Sequence, residues 1–173
     1  LETTGINITK DRIVEISILK VNPDGSEQKK TWLVNPEMPI PAVVTAVHGI
    51  TDEKVANEPT FNELAKEVHT WIKDSDLGGF NSNRFDIPLL AEEMLRAGVD
   101  FDMKNRRSVD VQTIFHKMMS LKTLGQAKGL LKICALRLPQ VVLNWVNKWS
   151  LRCSLTFQVV TPLRPMVKPL SSA

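Results

Sequence analysis

The run Ile13–Val21 restricts the fold most, because its β-branched and aliphatic side chains are typical of a strand. Residues 22–25 follow as Asn-Pro-Asp-Gly, in which proline fixes φ and glycine accepts a positive φ, so they predict a turn. Residues 30–35 supply a second strand. We therefore predict a β-hairpin over residues 13–35.

Helical and extended segments alternate after the hairpin. Three prolines in residues 36–41 make the next connection irregular and extended. Thr60 and Glu63 have the spacing of a capping box, and apolar residues recur at helical spacing across residues 61–72. Further along, the sequence predicts a strand at 76–80, a helix at 87–97, a strand at 108–111 and a helix at 112–119. The alternation is typical of one α/β domain.

The distribution of charge divides the chain in two. Residues 1–110 contain 13 Lys/Arg and 19 Asp/Glu, whereas residues 111–173 contain nine Lys/Arg and no acidic residue. Ordinary composition would give roughly eight acidic residues in a segment of that length. Three prolines near the end also prevent a regular helix or a central strand there.

Composition excludes several classes of protein. No run approaches the roughly 20 apolar residues that span a bilayer, so no membrane association is expected. The first residues lack the basic and apolar regions of a secretory signal. Cys134 and Cys153 form neither a disulfide framework nor a zinc set. These features predict a cytoplasmic setting.

Three short motifs carry the functional signal. Residues 2–5 read Glu-Thr-Thr-Gly, residues 47–51 read Val-His-Gly-Ile-Thr, and residues 81–86 read Asn-Ser-Asn-Arg-Phe-Asp. Each has a simple structural interpretation: Glu2 in a solvated terminus, His48 in a loop, Asn81 in a turn and Asp86 as a helix N-cap.

In this order and spacing the motifs resemble those of the DnaQ-like (DEDD) 3′–5′ exonucleases, a family that includes the proofreading epsilon subunit of bacterial DNA polymerase III. The family motif Asp-x-Glu-Thr-x-Gly is matched from its second position, and Asn-x(2–3)-Phe/Tyr-Asp is matched by residues 81–86. The resemblance covers roughly residues 1–120. It implies a ribonuclease H-like α/β fold: a mixed sheet with an antiparallel hairpin and flanking helices.

The resemblance also implies phosphodiester hydrolysis at a nucleic-acid 3′ end, with two Mg²⁺ or Mn²⁺ ions held by carboxylates. Glu2 and Asp86 match the family's catalytic, metal-binding positions. The expected substrate contacts are Thr3, Thr4, His48, Asn81 and Phe85. The implied partners are single-stranded DNA or RNA with a free 3′ end and, as in replication and proofreading, a polymerase.

Several elements of the family are missing. Its first aspartate would stand immediately before Leu1, at the end of a central strand that is absent as well. The third motif, His-x(4)-Asp or Tyr-x(3)-Asp, has no counterpart, because residues 111–173 contain no Asp and the chain contains no Tyr. Asp110 lies before the expected position, and we interpret it as a cap or salt-bridge residue.

The acid-free tail has two interpretations. It is either a basic arm that holds the nucleic-acid backbone or out-of-frame sequence that begins near residues 120–129. The second fits better, because the basic residues are sparse and apolar runs interrupt them. We therefore predict an exonuclease domain at residues 1–120, truncated at its N-terminus and without its normal C-terminal helix, and unrelated sequence at 121–173.

Two other hypotheses compete with an exonuclease. One is a nucleic-acid-binding module that kept the fold and lost the metal site. The other is a fragment that does not fold stably because the centre of its sheet is missing. For the 173-residue polypeptide itself we predict little or no nuclease activity.

Overall fold

The computed structural model describes residues 1–104, 106–119 and 157–160. Six strands form one mixed sheet, and five helices accompany it. The strands are β1 (Glu2–Thr3), β2 (Ile13–Val21), β3 (Glu27–Leu33), β4 (Asp76–Gly79), β5 (Ser108–Asp110) and β6 (Phe157–Val160). The helices are α1 (Ala42–His48), α2 (Asp52–Val55), α3 (Phe61–Ile72), α4 (Asp86–Arg96) and α5 (Val111–Met119).

The predicted hairpin is confirmed. β2 pairs antiparallel with β3 from Glu15↔Leu33 to Val21↔Glu27. Gly25 closes the turn at φ 83°, and its N–H donates to the Asn22 carbonyl at 2.9 Å. The second strand begins three residues earlier than predicted, because the tight turn lets pairing start at once.

The opposite edge of β2 is shared by two strands. β1 pairs antiparallel with the beginning of β2, through Glu2↔Glu15 and Thr3↔Ile13. β6 pairs in parallel with the last four residues of β2, from Ile18↔Phe157 to Val21↔Val160, and antiparallel with β4. β6 therefore lies between β2 and β4. The sequence predicted that a central strand before Leu1 is absent and that the prolines near the end prevent a central strand there; the second prediction is wrong, because β6 ends just before the first of those prolines.

The directions of the strands bring the carboxyl ends of three strands to the same edge of the sheet. β4 and β5 are parallel. β2 and β6 run in one direction, and because β1 pairs antiparallel with β2 and β4 pairs antiparallel with β6, β1 runs the same way as β4. Residues that follow β1, β4 and β5 consequently emerge at one edge of the sheet. In sheets with parallel strands this edge is where ligands bind.

Helix α3 matches the prediction residue for residue. Thr60 and Glu63 form the capping box, and the hydrogen bond from the Thr60 N–H holds the pKa of Glu63 below its ordinary value. Its apolar side chains lie in the main core with those of α4 and the sheet, including Ile16, Ile18, Leu89 and Met94.

The two short helices, α1 and α2, were not predicted. α1 contains no buried residue, and three of its seven residues are valines, which favour strands. Its ends do carry a signal: Pro41 precedes the helix, and Gly49 follows it in the left-handed conformation at φ 74°. His48 is consequently the last residue of a helix and not a loop residue.

Candidate active site

The first and last motifs meet at the edge of the sheet where β1, β4 and β5 end. The backbone nitrogen of Leu1, here an ammonium, lies 3.3 Å from Asp86 Oδ1. Asp86 begins α4, so 85 positions of sequence separate Leu1 from the carboxylate that it contacts, and Glu2 is the residue after Leu1. Glu2 is half-buried, and the Asp86 side chain is 14% exposed.

Asp86 is not a helix cap. The N-cap position of α4 belongs to Phe85, and no side chain makes a capping hydrogen bond there. The structural interpretation of Asp86 from sequence is therefore wrong. Its carboxylate lies in the first turn of α4, where the helix dipole favours a negative charge, and it is directed to the amino-terminal segment.

His48 joins the middle motif to the first. Its Nδ1 accepts the Ile50 N–H at 3.0 Å, which places the ring proton on Nε2, 3.3 Å from the Thr3 carbonyl oxygen. Both ring nitrogens are thus engaged inside the chain. Gly49, in its left-handed conformation, provides the bend that brings Ile50 back to the histidine ring.

Thr3 and Thr4 are buried, and their hydroxyls are bonded within the same loop. Thr3 Oγ1 donates to the Gly5 carbonyl at 2.6 Å. Thr4 Oγ1 accepts the Arg12 N–H at 3.0 Å and lies 3.3 Å from Asp11 Oδ1. A nucleotide contact by these threonines stays a prediction.

The remaining predicted residues shape the loop before Asp86. Asn81 adopts φ 54°, a left-handed conformation that asparagine tolerates, and its carbonyl accepts the N–H groups of Arg84 and Phe85. Phe85 packs against the main core. Contact of either residue with substrate stays a prediction.

Asp110 is a cap, as the sequence predicted. Its Oδ1 accepts the Gln112 N–H at 3.0 Å in the first turn of α5. It is 6% exposed, and it also accepts hydrogen bonds from the Asn81–Asp86 loop, which the sequence gave no reason to expect.

Mg²⁺ and Mn²⁺ prefer hard oxygen ligands, which Glu2 and Asp86 provide. Among the residues that the structure describes, however, no group of three or more His, Cys, Asp or Glu side chains could hold a metal ion. Glu2 and Asp86 therefore have the right kind of ligand atom for such an ion, but two carboxylates are fewer ligands than its site needs.

Comparison with known proteins decides the family. The family described as Exonuclease (RNase_T) matches residues 1–140. The chain belongs to this exonuclease family. The predicted membership of the DnaQ-like group is confirmed by its curated relatives.

Two of these bacterial relatives show how much of the chain is matched. The chain is 33% identical over 93 residues to the DNA polymerase III subunit epsilon of Treponema pallidum, covering 54% of this chain and 43% of that protein. It is 36% identical over 104 residues to a subunit epsilon-like protein of Rhodobacter capsulatus, covering 58% of this chain and 15% of that protein. The chain thus spans less than half the length of either relative.

The solved structures agree in fold. Exonuclease I of E. coli, in complex with a dT13 oligonucleotide, superposes with a TM-score of 0.63 at 16% identity, covering 72% of this chain and 29% of that chain. At this identity the likeness is one of fold, and it confirms the ribonuclease H-like α/β architecture. No helix in the described part of the chain is long and apolar enough to cross a membrane.

A side chain added at Gly5, in the loop that follows β1, would meet the carboxylate of Asp11. A Cβ there would lie 2.4 Å from Asp11 Oδ2, an oxygen that accepts the Asn7 N–H at 2.7 Å. We expect Gly5→Ala to displace this carboxylate and to lower the free energy of unfolding by about 1–2 kcal/mol. Urea denaturation measures the loss. In an Asp11→Ala background the same change should cost almost nothing, and an equal loss in both backgrounds would contradict the contact.

Proposed function

We propose that this domain comes from an exonuclease that removes nucleotides from unpaired 3′ ends, and that Glu2 and Asp86 are two of its divalent-cation ligands. The observation that carries the proposal is the distance of 3.3 Å between the backbone nitrogen of Leu1, which precedes Glu2, and Asp86 Oδ1. Two family motifs that are remote in sequence thereby lie side by side, in the family order.

The chemistry requires such a convergence. Hydrolysis of a phosphodiester builds negative charge on the reacting phosphoryl group and on the leaving 3′-oxygen, and divalent ions stabilise that charge when bound. Within the described residues the chain would contribute two carboxylates toward those ions. Hydrolysis would use both, together with ligands beyond these two carboxylates, and the described residues form no group of three.

We infer single-stranded DNA as the substrate from the comparisons. The exonuclease I structure holds a dT13 oligonucleotide, and the relatives include subunits of DNA polymerase III. We propose an unpaired DNA 3′ end as the ligand of this edge of the sheet, and association with a polymerase for the parent protein.

The test is binding of a fluorescein-labelled single-stranded DNA, followed by anisotropy with and without Mn²⁺. We expect Mn²⁺ to increase affinity at least tenfold, and Asp86→Asn to remove that increase. Asp76→Asn is the matched control, because Asp76 begins β4 and its carboxylate contacts Arg107.

A free 3′-hydroxyl should bind better than a 3′-phosphate, because a terminal site must accommodate the end of the strand. Affinity that is equal with and without Mn²⁺ would contradict the proposal and favour the non-catalytic binding module. Single-stranded RNA of the same sequence, measured in parallel, would show whether DNA is preferred.

A further inference from the structure

Asp110 forms more hydrogen bonds than a helix cap requires. Its Oδ1 accepts the N–H of Gln112 and the N–H of Asn81, each at 3.0 Å, and its Oδ2 accepts the N–H of Asn83 at 3.2 Å. Only the first of these belongs to α5. The other two reach 29 and 27 residues back along the chain, to the loop that leads into Asp86.

These two bonds link the loop to β5, in addition to the hydroxyl of Ser108, which donates to Asn83 Oδ1, and to the packing of Phe85 against the core. Arg84 and Phe85 donate their N–H groups to the Asn81 carbonyl, so the turn is built around Asn81. Asn81 itself has a positive φ, and its N–H is held by Asp110. Because α4 has no side-chain cap, the orientation of its first turn depends on this loop.

The pairing of strands does not replace the carboxylate. β4 and β5 pair in parallel only as far as Gly79↔Asp110. The loop begins beyond that point, and the backbone pairing of β4 with β5 does not extend into it. A buried carboxylate that accepts three N–H groups is a rigid anchor, since hydrogen bonds to an ionised acceptor are stronger than neutral ones.

We propose that Asp110 is a positioning residue for Asp86: it holds the Asn81–Phe85 loop in the conformation that directs Asp86 toward the amino-terminal segment, which carries Glu2. The inference rests on the proposed function, in which Asp86 is a cation ligand. Asp110 does not touch the cation in this account, and it acts only through the backbone of the loop.

The experiment compares three variants of the full chain. Asp110→Ala removes all three acceptors. In Asp110→Asn the amide oxygen can still accept from Asn81 and Gln112, while the amide nitrogen opposes the N–H of Asn83. Asp76→Ala is the matched control, because it also breaks a carboxylate link between β4 and the chain around β5, at the end remote from the loop.

Two quantities are measured on each variant: amide hydrogen exchange at Asn81 and Asn83 by NMR, and Mn²⁺ affinity by electron paramagnetic resonance. We expect Asp110→Ala to accelerate exchange at both amides and to weaken Mn²⁺ binding, each by about tenfold. Asp110→Asn should accelerate exchange at Asn83 alone and have a smaller effect on affinity. Asp76→Ala should change neither quantity, whatever it does to the melting temperature.

The inference is overturned if Asp110→Ala leaves exchange at Asn81 and Asn83 unchanged. It is also overturned if exchange rises but Mn²⁺ affinity stays at the wild-type value while Asp86→Asn reduces it. A loss of affinity in Asp76→Ala equal to that in Asp110→Ala would reduce Asp110 to a general structural residue. If Asp86→Asn itself has no effect, the proposed function fails first, and the role of Asp110 toward the cation fails with it.

Discussion

Arg12→Met is expected to lower the free energy of unfolding by about 3 kcal/mol. Arg12 Nε lies 2.7 Å from Glu93 Oε1, and Glu93, on α4, is only 1% exposed. In Arg12→Met the Glu93 carboxylate would retain the hydrogen bond from the Ile13 N–H, at 3.3 Å, and the ion pair with Arg96 Nη1, at 3.4 Å. An under-compensated buried charge is among the costliest local defects in a protein.

Thermal and urea denaturation measure the loss, which should correspond to roughly 6–12 °C in melting temperature for a domain of this size. Arg107→Met is the matched control: its ion pair with Asp76 at 3.0 Å belongs to an arginine that is 69% exposed, so the change should cost at most about 1 kcal/mol. Adding Glu93→Leu to Arg12→Met should recover most of the stability. Equal losses in the two arginine variants would contradict the account.

The second large effect concerns catalysis. We expect the 173-residue polypeptide to release nucleotides from single-stranded DNA at least about a thousandfold more slowly than E. coli exonuclease I at equal concentration. A missing general base alone costs about 10²–10⁴-fold, and the described residues provide no cluster of three metal ligands. The measurement is release of a 3′-terminal label in Mg²⁺ and in Mn²⁺.

A contaminating nuclease is the main source of error in this assay, so Asp86→Ala is purified and assayed in parallel. Residual release that is the same in both proteins comes from a contaminant. Rapid release that EDTA stops and Asp86→Ala abolishes would contradict the prediction, since the chain would then possess a working set of ligands.

Local sequence predicted the elements whose signals agree with one another. β2 and α3 have the predicted bounds, because β-branched residues favour a strand and because the capping box and the apolar periodicity of α3 indicate the same helix. α4 begins one residue before the prediction, at Asp86. That single residue changed the interpretation of Asp86 from a cap to a first-turn carboxylate.

α1 and β6 are among the elements that local sequence did not predict. α1 buries no residue, so it lacks the apolar face that periodicity detects. Residues 155–159 alternate between apolar and polar side chains, but the place of β6 between β2 and β4 depends on pairing partners more than 70 residues away in sequence. The local pattern does not determine which strands such a segment pairs with.

The candidate site was predicted by motif order, and the structure adds the reason why the motifs meet. Glu2 lies in β1 and the loop before Asp86 follows β4; these two strands run in the same direction, which is a property of the whole sheet. The loop bonds of Asp110 had no sequence signal, because any acidic residue before a helix is already explained as a cap. The boundary at residue 120 and the origin of the tail remain predictions.

The central claim, that Glu2 and Asp86 belong to one divalent-cation site, is tested most directly by a Mn²⁺ titration followed by electron paramagnetic resonance. We predict that Glu2→Gln and Asp86→Asn each weaken the same binding event at least tenfold, and that the double variant is little worse than either, because both carboxylates serve one ion. Mn²⁺ affinity that neither substitution alters would contradict the claim.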